Sequence, residues 1–201
     1  LQQEKQIGQG VDGAVILTSA SSKYFTTGLD LDERETNIFA SSDGFYPLIH
    51  TILDFPYPTI ACITGHVFGG ACLLTLAHDY RVMNGQRGFW QMPPVNLGLH
   101  HAGIGSLVRA KLGPRVARKV LLEGHKYTSQ EAAEDGIVDV LAQPSDMLVE
   151  AVKLAKSWKS KAKMGVYGML RNELWGEASQ YYAQNSYVHR KQTSSQPKLK
   201  L

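Results

Sequence analysis

Apolar positions along this chain fall into short continuous runs broken by glycine or proline, and into longer stretches with helical spacing. Residues 59–64 (TIACIT) form a short run with β-branched side chains and read as a buried strand. Gly65-His66 breaks that run. Phe68-Gly69-Gly70 then opens an Ala- and Leu-rich stretch over 71–78, long enough for about two helical turns. Residues 79–83 read as the next strand. Residues 57–83 are therefore predicted as strand, glycine turn, helix, strand, and the remaining elements arrange themselves around this unit.

Upstream, residues 1–10 read as a polar helix tail entering a turn, and residues 13–18 (GAVILT) as a buried strand. Residues 24–31 pass from aromatics into a small-residue turn at Gly28, a residue free to take positive φ. Asp30 and Asp32 stand where a following helix begins and complement its dipole. Residues 33–42 read as a polar segment of mobile character. Phe45, Leu48, Ile49, Ile52 and Leu53 fall at helical spacing, and Pro56-Tyr57-Pro58 stops that helix.

Downstream, residues 88–92 predict a short strand ended by Pro93-Pro94, and 95–104 a loop. Helices are expected over 105–112, closed by Gly113-Pro114, and over 115–123, with Val116, Val120 and Leu121 inward. Thr128 with Glu131 three residues on is a capping-type start for a helix ending at Gly136. A short strand over 137–141 follows. Residues 145–164 and 166–187 read as helices. The first carries lysines at 153, 156, 159, 161 and 163 on a solvated face, and the second an aromatic stripe suited to a core or a subunit contact. Strands alternating with helices argue for an α/β layered fold with crossover connections.

The 201 residues suffice for one domain with a sizeable core and a helical appendage. A net charge of +3 is too small to argue for nucleic acid, and no apolar run approaches the ~20 residues of a membrane span. Cys62 and Cys72 lie in apolar stretches, as small buried residues rather than a disulfide or metal pair, which fits a reducing compartment. No secretory pattern opens the chain. It starts at Leu1 in a polar, helical-looking stretch, and an N-terminal segment with further strands is expected to be missing.

The glycine turn before residue 71 admits two readings. Its glycines allow close approach of a ligand or another backbone, and they leave helix N-terminal N–H groups free to stabilise a developing oxyanion. Equally, they permit nothing more than tight helix–strand packing. His66 follows Gly65 at the turn and His100 and His101 follow Gly98; an imidazole is a side chain suited to acid/base work.

Four separated pieces resemble one family. Val15-Ile16-Leu17-Thr18 followed by Phe25-Thr26-Thr27-Gly28-Leu29-Asp30-Leu31 is similar to the first signature of the crotonase, or enoyl-CoA hydratase/isomerase, superfamily. Pro58-Thr59-Ile60-Ala61, Gly65-His66-Val67-Phe68-Gly69-Gly70 and Asp79-Tyr80-Arg81 resemble the second. Val95-Asn96-Leu97-Gly98-Leu99 and the stretch 129–139 resemble later elements of the core, and residues 78–83 and 107–111 look nearest to peroxisomal Δ3,Δ2-enoyl-CoA isomerases. The resemblance implies a ββα spiral with a helical C-terminal region, assembled as a homotrimer or hexamer. It implies an α/β core over 1–142, a helical trimerisation region over 143–190 and a polar tail over 191–201. It implies an acyl-CoA thioester as partner, with no cofactor beyond the substrate's own coenzyme A and no metal. The family's two oxyanion-hole amides fall on Leu29 and Gly70, and Thr27, Gly28, Leu29, Asp30, Leu31 and Gly70 would line the substrate.

The sequence departs from that family at its acid and base. The two glutamates of the hydratase branch fall on Leu73 and Pro94, neither of which titrates; the resemblance implies that isomerases often lack the first and need the second. His100 then becomes the candidate acid/base, with His101 and His66 behind it. The alternatives are an inactive CoA-thioester binder or partner subunit, or a reaction that needs chiefly enolate stabilisation. The C-terminal Leu199-Lys200-Leu201 and the internal Pro197-Lys198-Leu199 resemble peroxisomal addresses, so a peroxisomal location is expected, with the cytoplasm as the alternative.

Overall fold

A computed structural model describes residues 10–37 and 39–186. Its strands form two four-stranded sheets. The first has the order β1 (Val15–Thr18), β3 (Thr59–Ile63), β5 (Tyr80–Asn84), β8 (Val140–Ala142), with each neighbouring pair parallel. The second has the order β2 (Tyr24–Thr26), β4 (His66–Phe68), β6 (Phe89–Gln91), β7 (Lys126–Thr128), parallel except for the antiparallel β6–β7 pair. The chain lays one strand in each sheet and then a helix, and repeats the step. This is the ββα spiral that the resemblance implied.

The helices are α1 (Leu31–Thr36), α2 (Tyr46–Leu53), α3 (Gly70–Ala77), α4 (Pro94–Leu97), α5 (Ile104–Lys111), α6 (Pro114–Leu121), α7 (Ser129–Glu134), α8 (Met147–Trp158) and α9 (Val166–Asn185). A π-turn over Ser41–Phe45 leads into α2, and a 3-10 turn over Lys159–Ala162 follows α8. The capping box at α7 is present: Thr128 Oγ1 accepts from the Glu131 N–H, and Glu131 accepts from the Thr128 N–H. Cys62 and Cys72 are both buried free thiols.

Several expectations need correction. Gly65-His66 does not simply break the central unit, because residues 66–68 form β4 in the second sheet. The run at 15–18 is an edge strand with exposed ends rather than a buried one. Helix α1 and the π-turn occupy much of the polar segment 33–42, and α4 occupies the start of the expected loop 95–104. The last strand sits at 140–142, because Ile137 and Val138 are buried in the turn that leaves α7. Residues 1–9 and 187–201, including the tail and its targeting motifs, lie outside the described residues.

Strand β3 is buried along its whole length because both of its faces are covered. Ala61 and Ile63 join the main core with α3, while Ile60 and Cys62 face Met147 and Ala151 of α8. Helix α3 is itself in the core: Leu73 and Leu76 are buried, and Trp90 Nε1 of β6 donates to Thr75 Oγ1 at 3.0 Å.

Just past α3 lies a buried polar hub. The Asp79 carboxylate accepts from Arg171 Nε at 2.7 Å, from the Thr59 N–H at 2.8 Å and from Tyr167 Oη at 3.1 Å. Arg171 also donates to the carbonyls of Ile52 and Phe55, so one guanidinium joins α9 to the end of α2 and the edge of β3. Arg81 donates to the His78 carbonyl at 3.1 Å and pairs with Asp139. Lys111 Nζ reaches the same carbonyl at 3.2 Å.

Both side chains of the Arg171–Asp79 pair are 3% exposed, and truncating one leaves the other charge buried. Replacing Arg171 with Leu is expected to lower stability by about 3–5 kcal/mol, read from the urea midpoint, with part of the loss recovered when Asp79 is made apolar as well. His78 offers a second check. Its Nδ1–H donates to the Leu74 carbonyl at 2.8 Å, and burial lowers its pKa from 6.5 to about 4. The unfolded chain therefore binds the extra proton in that window. Stability is undiminished above about pH 6.5 and falls as pH drops towards 4, by at most about 1.4 kcal/mol per unit. Chemical denaturation from pH 7 to pH 4 reads this slope, and His78→Gln is expected to flatten it.

Candidate active site

Two turns meet at the start of α3. The first runs from β2 into α1 through Thr26, Gly28 and Leu29. Gly28 has φ +95°, and a Cβ built there would lie 2.6 Å from the Phe68 carbonyl oxygen and 3.0 Å from the Gly70 nitrogen. Only glycine fits, on grounds both of φ and of space. The second turn is Gly69-Gly70. Gly69 has φ +60°, and its N–H donates to the Gln91 carbonyl at 3.0 Å, which ties the turn to β6. Gly70 is the first residue of α3. A Cβ there would lie 3.1 Å from Leu29 Cγ and 3.4 Å from the Phe45 ring.

Gly28 thus packs against residues 68–70 with no room for a Cβ, and the Leu29 side chain packs against Gly70. A cavity of about 440 Å³ opens where they meet. Gly28, Leu29, Gly70 and Ala71 form its floor, Phe45 and Leu48 one wall, and Leu74 another. The Gly70 N–H belongs to the first turn of α3 and has no intrahelical acceptor. Among the described residues, neither it nor the Leu29 N–H donates to a protein group. Two main-chain donors beside an apolar cavity, one at a helix N-terminus, form an arrangement suited to holding an anionic oxygen.

The local sequence explains the geometry. Asp30 caps α1, its Oδ1 accepting from the N–H groups of Asp32 at 3.0 Å and Glu33 at 3.1 Å. That cap fixes where the turn ends and the helix starts. Thr26 Oγ1 accepts from the Gly28 N–H at 3.3 Å and tightens the turn from its other side. The far wall hangs from α9: His50 Nδ1 lies 2.9 Å from Ser179 Oγ, and the Tyr46 and Tyr182 rings pack 5.8 Å apart.

Of the residues singled out from the sequence, Gly28, Leu29, Asp30 and Gly70 come together at the cavity. Thr27 is exposed and is not among the described lining residues, and the side chain of Leu31 lies outside the described residues. His100 is exposed on the loop after α4, also outside the described lining, and His101 is half-buried there. His66 sits on β4, where it accepts from the Phe89 N–H at 3.2 Å and packs on Tyr24, Phe68 and Phe89. Burial lowers its pKa, with Lys126, Arg87 and Lys23 adding to the effect. Leu73 points into the core at 1% exposure, and Pro94 is the first residue of α4. Cys72 donates to the Gln91 carbonyl, and burial pushes its thiol well above the ordinary pKa, so it is no thiolate nucleophile.

Sequence reasoning missed Glu33, Phe45, Leu48 and Leu74 as lining residues. The helical spacing of 45–53 identified an apolar face but not what that face encloses.

Comparison with known proteins identifies the family and the fold. The sequence profile of the enoyl-CoA hydratase/isomerase family matches residues 4–198. The peroxisomal enoyl-CoA delta isomerase 2 of Arabidopsis thaliana is 35% identical over 188 residues, covering 87% of this chain and 78% of that protein. Enoyl-CoA delta isomerase 1 of the same plant, also named peroxisomal, is 32% identical over 82% of this chain and 71% of its own length. Among solved structures, an apo enoyl-CoA isomerase from Mtb superposes with a TM-score of 0.78 at 18% identity, covering 86% of this chain and 76% of that one. A methylmalonyl-CoA decarboxylase complex gives 0.75 at 20% identity, covering 97% and 78%.

Because the Gly28 backbone packs against the Gly70 nitrogen, Gly28→Ala is expected to push the two turns apart. Ligand affinity at the cavity should fall at least tenfold while the protein stays folded. Calorimetric titration with a saturated acyl-CoA, alongside a thermal melt, reads both quantities.

Proposed function

Because the chain belongs to the enoyl-CoA hydratase/isomerase family, we propose that its cavity binds an acyl-CoA thioester with the carbonyl oxygen held by the Leu29 and Gly70 amides, and that it isomerises enoyl-CoA. One observation carries this reading: the turns bearing these two amides touch at the floor of the same cavity. Removing a proton from C2 of a thioester puts negative charge on the carbonyl oxygen. Two preorganised donors stabilise that charge more than they stabilise the neutral thioester, so they lower the barrier rather than merely tightening binding. Both donors are main chain, so the Leu side chain at 29 is no obstacle.

Isomerisation is favoured over hydration. Hydration needs one group to activate water and another to protonate carbon, whereas shifting a double bond from C3 to C2 needs one group that carries a proton between C2 and C4. Leu73 removes the glutamate that isomerases often lack, which argues against hydration, while Pro94 removes the one they use. The same departure favours a second reading, a thioester-binding homologue or partner subunit without chemistry. The peroxisomal names of the Arabidopsis relatives support a peroxisomal location. Among the described residues no helix is long and apolar enough to cross a membrane. Family membership also supports a homotrimer or hexamer.

The test uses a 3-enoyl-CoA and follows formation of the conjugated 2-enoyl thioester by ultraviolet absorbance. The wild type is expected to turn over, and Gly70→Pro to lose roughly 100- to 1000-fold in kcat, because proline deletes the N–H at the first helical position; Gly70→Ala, which adds the same Cβ beside Leu29 but keeps the N–H, separates that loss from crowding. Binding without product by the wild type would establish the second reading instead.

A further inference from the structure

With Leu73 and Pro94 unable to titrate, the cavity needs another group to move a proton. Among the described residues that line it, Asp30 and Glu33 carry the carboxylates. Asp30 is held in the cap of α1 by two backbone N–H groups. Glu33 differs. It is the third residue of α1, the position from which a glutamate ordinarily reaches back to the N-cap N–H. Glu131 makes that bond in α7 of this same chain. The Glu33 carboxylate does not, and among the described residues it makes no hydrogen bond or ion pair with any protein group. An exposed acidic side chain in the first turn of α1, with no bond to a protein group, thus lines the same cavity as Leu29 and Gly70.

We propose that Glu33 is the acid/base of this site. The assignment rests on the acyl-CoA reading above. The carboxylate takes a proton from C2 of a 3-enoyl thioester. The C2–H electron pair moves into the C1–C2 bond, and the carbonyl pair moves onto the oxygen held between the two amides. When the carbonyl re-forms, the C1–C2 pair becomes the C2–C3 double bond, and the former C3–C4 π pair takes the proton from Glu33 at C4. One proton leaves and one returns, so no co-reactant is consumed. A single carboxylate serves both steps. Thr26 and Ser41 also line the cavity, but neutral hydroxyls are too weakly basic for the first step.

The experiment compares wild type, Glu33→Gln, Glu33→Asp and Asp32→Asn, each checked for folding by circular dichroism. Asp32 sits beside Glu33 in α1 but is not among the described lining residues. Two assays are run: isomerisation of a 3-enoyl-CoA, and deuterium uptake at C2 of hexanoyl-CoA in heavy water. Glu33→Gln is expected to lose roughly 100- to 10,000-fold in kcat and to abolish deuterium uptake, with hexanoyl-CoA affinity within about threefold of wild type. Glu33→Asp, a carboxylate on a shorter stem, recovers part of the rate, and Asp32→Asn matches wild type. Turnover by Glu33→Gln above one tenth of the wild-type rate overturns the assignment while leaving the acyl-CoA reading intact. A wild type that binds hexanoyl-CoA yet neither isomerises nor exchanges overturns the isomerase reading and the role of Glu33 together.

Discussion

Everything at the site depends on one close approach. The backbone at Gly28 lies so near the start of α3 that a single added carbon would sit 2.6 Å from a carbonyl oxygen. The contact joins two segments that are far apart in sequence and belong to successive turns of the spiral. Gly69 completes it by turning the chain from β4 into α3 with positive φ while bonding to β6. The second sheet thus sets the position of both turns: β2 delivers the first and β4 the second, and the two strands pair directly.

The apolar wall of the cavity is supported from further away. Phe45 and Leu48 stand on the π-turn and α2, and α2 is pinned from behind by α9 through Arg171, Ser179 and Tyr182. Arg171 is in turn held by Asp79, in the Asp79-Tyr80-Arg81 motif that drew attention in the sequence. The motif has a physical task outside the cavity. Asp79 anchors α9, and Arg81 anchors the chain that enters β8.

Much of this was legible before any coordinates. Helical spacing predicted α2, inward apolar positions α6, an Ala- and Leu-rich run α3 and the stop at Gly113-Pro114 α5, and the Thr128–Glu131 pair predicted α7 and its cap. Strands β4 and β7 were not legible, because residues 66–68 were absorbed into the glycine turn and residues 126–128 run directly into the Thr128 cap. The run at 15–18 looked buried because its composition is apolar, but composition does not say which strand lies at a sheet's edge. At the site, Gly28 and Gly70 were legible because glycine marks backbone that must come close. Glu33 was not, since a carboxylate in a first helical turn has an ordinary explanation in the helix dipole. Only the absence of its expected partner in three dimensions sets it apart.

Helix α3 is finished at one end and open at the other. At its carboxyl end the His78 carbonyl receives hydrogen bonds from both Arg81 and Lys111, so the negative pole is quenched inside the protein. At its amino end Gly70 lines the cavity, and its N–H has no protein acceptor among the described residues. The helix therefore behaves as a one-sided electrode. On the proposed reading, the positive pole left at that end is what would meet charge appearing on a bound carbonyl oxygen.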